Sequence, residues 1–270
     1  MHSQKIHNKK LILPVLIFLA GCLALTAVLY HSYRTNLKQV RAVTELNATT
    51  YAERLQNDMN RGVAITDTLE EIVLSENGKI DNFQKVAGNL MTDFVQSIQV
   101  APDGVVTDIY PEGGNEAGKI DLIHDESRGE ICRYGRDKNI VTMQGPFDLK
   151  QGGRGIAIRN PVYLECPDGT SAFWGFTIVI IRVPEVFEKS VQALTQFGYD
   201  YCLTKTVSPL LDDTEVVSSS GNILKEPITF EFEFCGSTFG LEVMPNDGWN
   251  HGWDILPQLV LGISIILLLT

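Results

Sequence analysis

The stretch from Leu11 to Tyr30 holds no charged residue over twenty positions, enough as a helix to cross about 30 Å of hydrocarbon. No feature limits the fold more, because it commits one end of the chain to a membrane. Pro14 falls in the first turn, where a missing N–H costs least. The competing reading is a cleaved signal peptide, with small residues Ala24, Thr26 and Ala27 near its end, but the run exceeds the ~7–15 apolar residues of such leaders. An uncleaved helix over 11–30 is expected. Lys5, Lys9 and Lys10 precede it, and basic residues stay on the cytoplasmic side. Residues 1–10 are thus expected in the cytoplasm and the following chain outside.

That outer part is acidic. The formal charge of −11 includes those three lysines, so the rest of the chain sets 19 basic residues against 33 acidic ones. Such a surface repels nucleic acid and anionic lipid, and no nucleic-acid partner is expected. A second uncharged run, Ile255 to Thr270, is about 24 Å long as a helix, short of a full crossing. It reads as a second transmembrane helix over 255–270, either the front of a longer segment leading to a cytoplasmic module or a short tail anchor. Trp249 and Trp253 just before it suit an interfacial aromatic belt.

Residues 31–76 lack proline and contain one glycine, Gly62. Leu37, Val40, Leu55, Met59, Val63, Leu69 and Val73 recur mostly at spacings of three or four, which predicts a long helix leaving the membrane. It would serve as a dimer stalk, or lie along its own domain; the two are compatible. A second amphipathic helix over Ile80–Phe94 is followed by a change of period. The runs Ser97–Val100 and Val105–Tyr110 flank Ala101-Pro102-Asp103-Gly104, a hairpin signal. A polar helix over His124–Lys138, a strand Ile140–Met143, and strands Ile156–Leu164 and Phe173–Val183 joined at Cys166-Pro167-Asp168-Gly169 complete one α+β unit with an antiparallel sheet. A helix Glu185–Phe197, a strand Tyr199–Val207, a polar loop, and a hairpin of Thr229–Phe234 with Thr238–Val243 predict a second, smaller unit. In the first strand of that hairpin Phe230, Phe232 and Phe234 alternate with Glu231 and Glu233. The fold class is α+β: a transmembrane helix, a stalk helix, two PAS-like units and a second transmembrane helix. The units are placed at 77–184 and 185–248 within an outer region of 31–254.

Several pieces in a fixed order carry a family resemblance: Ala101-Pro102-Asp103-Gly104-Val105-Val106, Tyr110-Pro111 with Asn115-Glu116, Gly145-Pro146-Phe147, Pro161-Val162-Tyr163 and Phe173-Trp174-Gly175-Phe176. The chain resembles the CHASE domain over about Gln39–Val243. Members are extracytoplasmic sensor domains of bacterial histidine kinases, diguanylate cyclases and plant cytokinin receptors. The resemblance implies two PAS-like units, the membrane-distal one binding a small molecule, within a homodimer coupled to a cytoplasmic enzyme, as in two-component systems. In the plant receptors the pocket is lined by the strand entering Pro-Val-Tyr and by the loop after Pro-Phe. Arg159, two before Pro161, stands where those receptors have a small hydroxyl residue. Lys150 and Arg154 flank the loop. This departure argues against cytokinin and for a carboxylate- or phosphate-bearing ligand. The alternative is that Arg159 pairs with an acidic neighbour such as Glu165.

Other constellations lack a matching chemistry. His124-Asp125-Glu126 could offer metal ligands, but adjacent helical residues diverge. Gly152-Gly153-Arg154-Gly155 lacks the lysine-hydroxyl ending of a phosphate loop. No metal, cofactor or catalytic residue is expected. Cys132, Cys166, Cys202 and Cys235 lie in the outer region, where disulfides and buried thiols are both open. A ligand-capturing protein that acts through a partner is the alternative to a sensor. An anchored enzyme is the other rival, with His124 and His251 as its only histidines distant from the first membrane boundary.

Overall fold

A computed structural model describes residues 2–112, 118, 120–150, 152–209, 211–249 and 256–269. Helix α1 runs unbroken over His2–Ser75, 74 residues. Its apolar portion faces outward with Leu16, Leu19, Leu23 and Val28 exposed, a surface suited to lipid rather than water. Among the described residues it is the one helix long and apolar enough to cross a membrane. Beyond the apolar run the predicted stripe is buried at Leu55, Met59, Leu69 and Val73 and half-buried at Leu37, Val40 and Val63, and Ala48 and Ala52 join it.

Two antiparallel sheets lie along this helix. The first has strand order β2-β1-β5-β4-β3, built from β1 (Val95–Pro102), β2 (Asp108–Tyr110), β3 (Thr142–Asp148), β4 (Arg154–Glu165) and β5 (Ser171–Val183). The second has order β7-β6-β9-β8, from β6 (Tyr199–Ser208), β7 (Leu211–Ser219), β8 (Ile228–Phe234) and β9 (Ser237–Pro245). Three short helices, α2 (Phe83–Leu90), α3 (Gly129–Lys138) and α4 (Glu188–Gln196), connect them.

The position of each sheet follows from its contacts with α1. Asn47 Nδ2 donates to Tyr199 Oη at 2.8 Å, and Ser190 Oγ to Asp58 at 2.6 Å, so the second unit rests on the part nearer the apolar run. The first sheet sits further along, where Thr177 Oγ1 donates to the Thr66 carbonyl at 3.0 Å. Gly62 explains itself here: a Cβ would stand 2.8 Å from Ile158 Cδ1 and 3.1 Å from Ile181 Cγ2. Gly62, the one glycine of α1 beyond the apolar run, is where the helix packs tightly on β4 and β5.

Three expectations need correction. The predicted polar loop after β6 is strand β7, paired only with β6. Its acidic and hydroxyl residues belong to a sheet edge, where charge prevents unwanted pairing. The polar helix begins at Gly129 rather than His124. Residues 121–128 form turns, with Asp121 Oδ1 accepting the Ile123 and His124 amides and Asp125 Oδ1 those of Ser127 and Arg128. The second predicted helix is confined to α2, and Phe94 already enters the sheet core.

The second apolar run forms α5 (Leu256–Leu269), 14 residues, too short by itself for a full crossing. It packs on the apolar part of α1: Ile266 lies against Gly21 and Leu25 against Gly262. Those two pairs run in opposite chain directions, so the helices are antiparallel. Trp249 stacks on Arg41, 4.7 Å from the guanidinium carbon to the ring centroid, and donates to the Lys225 carbonyl at 3.0 Å. Arg41 is eleven residues past Tyr30, about 16 Å along the helix, so Trp249 serves as a clasp on α1 rather than a belt residue. Trp253 and His251 lie outside the described residues. All five cysteines are free thiols.

Candidate ligand cavity

Alternation in the first sheet gives each face its own character. Ile156, Ile158, Val179 and Ile181 face α1, whereas Ala157, Phe176, Ile178 and Ile180 face away and pack with Leu122, Ile123, Ile131 and Cys132. Arg159 follows Ala157 by two and therefore points to the side away from α1. The turns before α3 and the β3–β4 loop cover this face, enclosing a cavity of about 560 Å³. Its apolar wall includes Ile109, Leu122, Ile178 and Ile180, and its polar lining includes Ser97, Gln99, Arg128, Gln144, Lys150 and Arg159.

Arg159 is 3% exposed, and its Nε and Nη1 find no hydrogen-bond partner among the described residues. Burial lowers its pKa from the ordinary guanidinium value, with Cys132, Arg128 and Asp125 acting on it more weakly, yet arginine keeps its charge in proteins. A buried cation with open donors is costly unless an anion answers it. The expected alternative, pairing with Glu165, does not occur; Glu165 is exposed at the far end of β4. Cys132, wholly buried beneath the same cap, has its thiol pKa raised by burial.

Lys150 lines the cavity with Arg159. Arg154 does not: its Nη1 donates to the Val216 carbonyl on β7 at 3.3 Å. It starts the strand whose middle carries Arg159, and five residues of extended chain separate them by about 16 Å.

Gln144 was not singled out by sequence. Its strand is bent by a register shift between Gln144 and Phe147, made possible by Gly145 at φ +110, where a Cβ would meet the Gly155 carbonyl at 2.7 Å. Gln144 Nε2 donates to the Ser127 carbonyl at 2.8 Å, and Oε1 is buried without a partner among the described residues. Ser97 and Gln99, linked by a 3.0 Å hydrogen bond, interrupt the apolar alternation of β1. That interruption was the one signal available.

His124 Nδ1 lies 2.8 Å from Asp121 Oδ2 on the surface, and among the described residues no three metal-binding side chains converge. A shallower groove of about 350 Å³ lies between α1 and the second unit, against Val43, Phe197 and Tyr199.

The CHASE-domain family profile matches residues 30–213, more than half of the chain. The chain belongs to the CHASE-domain family. The match takes in the whole first sheet and its cavity, and continues into β7 of the second. No curated protein matches the CHASE chain by sequence. Among solved structures it is similar to an extracellular ligand-binding receptor from Desulfohalobium retbaense, with TM-score 0.55, 13% identity, and coverage of 74% of this chain and 39% of that one. The chain therefore spans about two fifths of that receptor structure. It is also similar to the periplasmic domain of RsbU from Chlamydia trachomatis, with TM-score 0.51, 8% identity, and coverage of 81% of this chain and 96% of that domain. At these identities the likeness concerns the fold alone.

Proposed function

We propose that this CHASE protein is a membrane-anchored extracytoplasmic sensor whose small, anionic ligand binds in the cavity of the first unit. One observation carries the reading: Arg159 is a buried cation that lines a space of ligand size, and its Nε and Nη1 donors have no partner among the described residues. A carboxylate or phosphate accepting both donors would relieve that charge. Lys150 at the cavity's edge would steer the same class of ligand.

In this proposal residues 1–10 are cytoplasmic, 11–30 cross the membrane, and 31–254 lie outside. The stalk is 31–76, the distal unit 77–184 and the proximal unit 185–248. Residues 255–270 return into the membrane, a reading supported by the antiparallel packing of α5 on α1 at Gly21 and Gly262. The chain acts as a homodimer along the exposed face of α1, where Val43 and Leu46 are uncovered. Ligand binding biases two arrangements of that dimer, and the change passes to a cytoplasmic histidine kinase or diguanylate cyclase.

The test is calorimetric titration with anionic ligands found by screening. Arg159→Ala is expected to weaken their binding at least tenfold and Lys150→Ala by a few-fold. Unchanged binding in both variants would refute the assignment.

A further inference from the structure

A second residue of the lining carries an unpartnered atom of opposite sense. Gln144 Oε1 is buried and has no partner among the described residues, and its identity as the oxygen is fixed because the other amide atom donates to the Ser127 carbonyl at 2.8 Å, which an oxygen could not do. Gln144 stands opposite Ala157, and Arg159 lies two residues further along the same face of β4. One side of the cavity therefore offers two N–H donors with a positive charge, and beside them a neutral acceptor.

The charges around this pair limit what can fill it. Arg128 is already paired, its Nη1 3.1 Å from Asp125 Oδ2. Asp148 and Lys150 are exposed residues of the lining and of opposite sign. No carboxylate among the described residues pairs with Arg159, so one positive charge is left for the ligand to answer. An ammonium group placed at Gln144 Oε1 would meet only a neutral oxygen and would stand near a guanidinium in a low dielectric, which is repulsive. A hydroxyl or amide N–H satisfies the same oxygen without that repulsion.

We infer that the ligand is a monoanionic carboxylic acid with a neutral hydrogen-bond donor next to the carboxylate and an apolar body, a 2-hydroxy acid or N-acyl amino acid rather than a free amino acid. The carboxylate accepts from Arg159 Nε and Nη1, the donor bonds to Gln144 Oε1, and the apolar body lies against Ile109, Leu122, Ile178 and Ile180. This deepens the proposed function and rests on it.

Three acids of one skeleton separate the possibilities when titrated calorimetrically into the full chain in lipid nanodiscs: 2-hydroxy-4-methylpentanoate, 4-methylpentanoate and leucine. The hydroxy acid is expected to bind about tenfold tighter than the unsubstituted acid, the worth of one hydrogen bond to an otherwise unsatisfied buried acceptor. Leucine is expected to bind no tighter than the unsubstituted acid. In Gln144→Met the ratio of hydroxy to unsubstituted acid should fall to near one, and in Gln144→Glu, which puts a carboxylate in place of the neutral oxygen, leucine should become the preferred member. Tightest binding of leucine to the unaltered chain would overturn the inference, as would an undiminished hydroxy-acid preference in Gln144→Met or failure of all three acids to bind. The parent reading is judged separately. Should Arg159→Met bind a wider set of carboxylates and phosphates as well as the unaltered chain does, the anion site itself falls; should it lose them while the three acids fail, only the ligand class is wrong.

Discussion

In the proposed sensor the binding role of Arg159 and its energetic cost oppose each other. Without ligand it is a buried charge with two open donors, so replacing it by an apolar side chain of similar length removes a desolvation cost. Arg159→Met is expected to leave the ligand-free protein as stable or more stable, by up to about 2 kcal/mol, while ligand stabilisation disappears. Thermal unfolding with and without ligand reads both effects. Cys235 gives a second residue-scale expectation. Burial, with the Asp67 carboxylate adding to it, pushes its thiol up to about 12, above the ~8.5 of an exposed thiol. A raised folded pKa means that its contribution is fully present below the unfolded value and is lost as pH climbs towards 12. The melting temperature should therefore fall more steeply between about pH 9 and pH 12 in the parent chain than in Cys235→Ala. Arg159 was legible in the sequence because a charged residue occupies a place where relatives carry a hydroxyl. Gln144 was not, since an amide before Gly-Pro has no periodic signature and its open oxygen exists only once β3 bends over the cavity.

At the scale of elements, strand β4 joins the two units. Its middle carries Arg159 into the cavity, and its first residue, Arg154, donates to the Val216 carbonyl on β7. Beside it, the Met143 amide on β3 donates to the Cys235 carbonyl in the turn between β8 and β9, at 3.2 Å. The next residue on β3 is Gln144. A ligand that draws Gln144 and Arg159 together thus acts on both strands that bond to the second sheet. Arg154→Ala is expected to keep ligand affinity within about twofold, because the side chain lies outside the cavity. It should also raise hydrogen exchange in the β6–β7 pair, where one cross-unit bond is lost. Protection of that pair unchanged in the variant would sever the link. Most strands were legible, for the alternation in β8 and the Pro-Asp-Gly and Asp-Gly turns leave little choice. β7 was not, because an edge strand needs only half a ladder and its residues follow solubility rather than a buried face. The same limit placed Arg154 at the cavity: sequence gives the strand but not where its ends point.

For the whole molecule, α1 is the common support. One unbroken helix passes from the apolar run along the second sheet to the first, so in the proposed sensor a shift between cavity and helix would reach the apolar run without crossing a flexible joint. The antiparallel contact of α5 with the same apolar stretch sets the two apolar helical segments side by side. Hydropathy located both apolar runs, but not their contact. The face on which the cavity opens depended on contacts far apart in sequence, such as that of Gly62 with Ile158. Whether a ligand answers the buried charge of Arg159 is read from the structure of the chain saturated with its strongest ligand. A carboxylate or phosphate group is expected within hydrogen-bonding distance of Arg159 Nε and Nη1. A ligand seated elsewhere, such as the groove at Val43 and Phe197, with Arg159 still unpartnered, would contradict it.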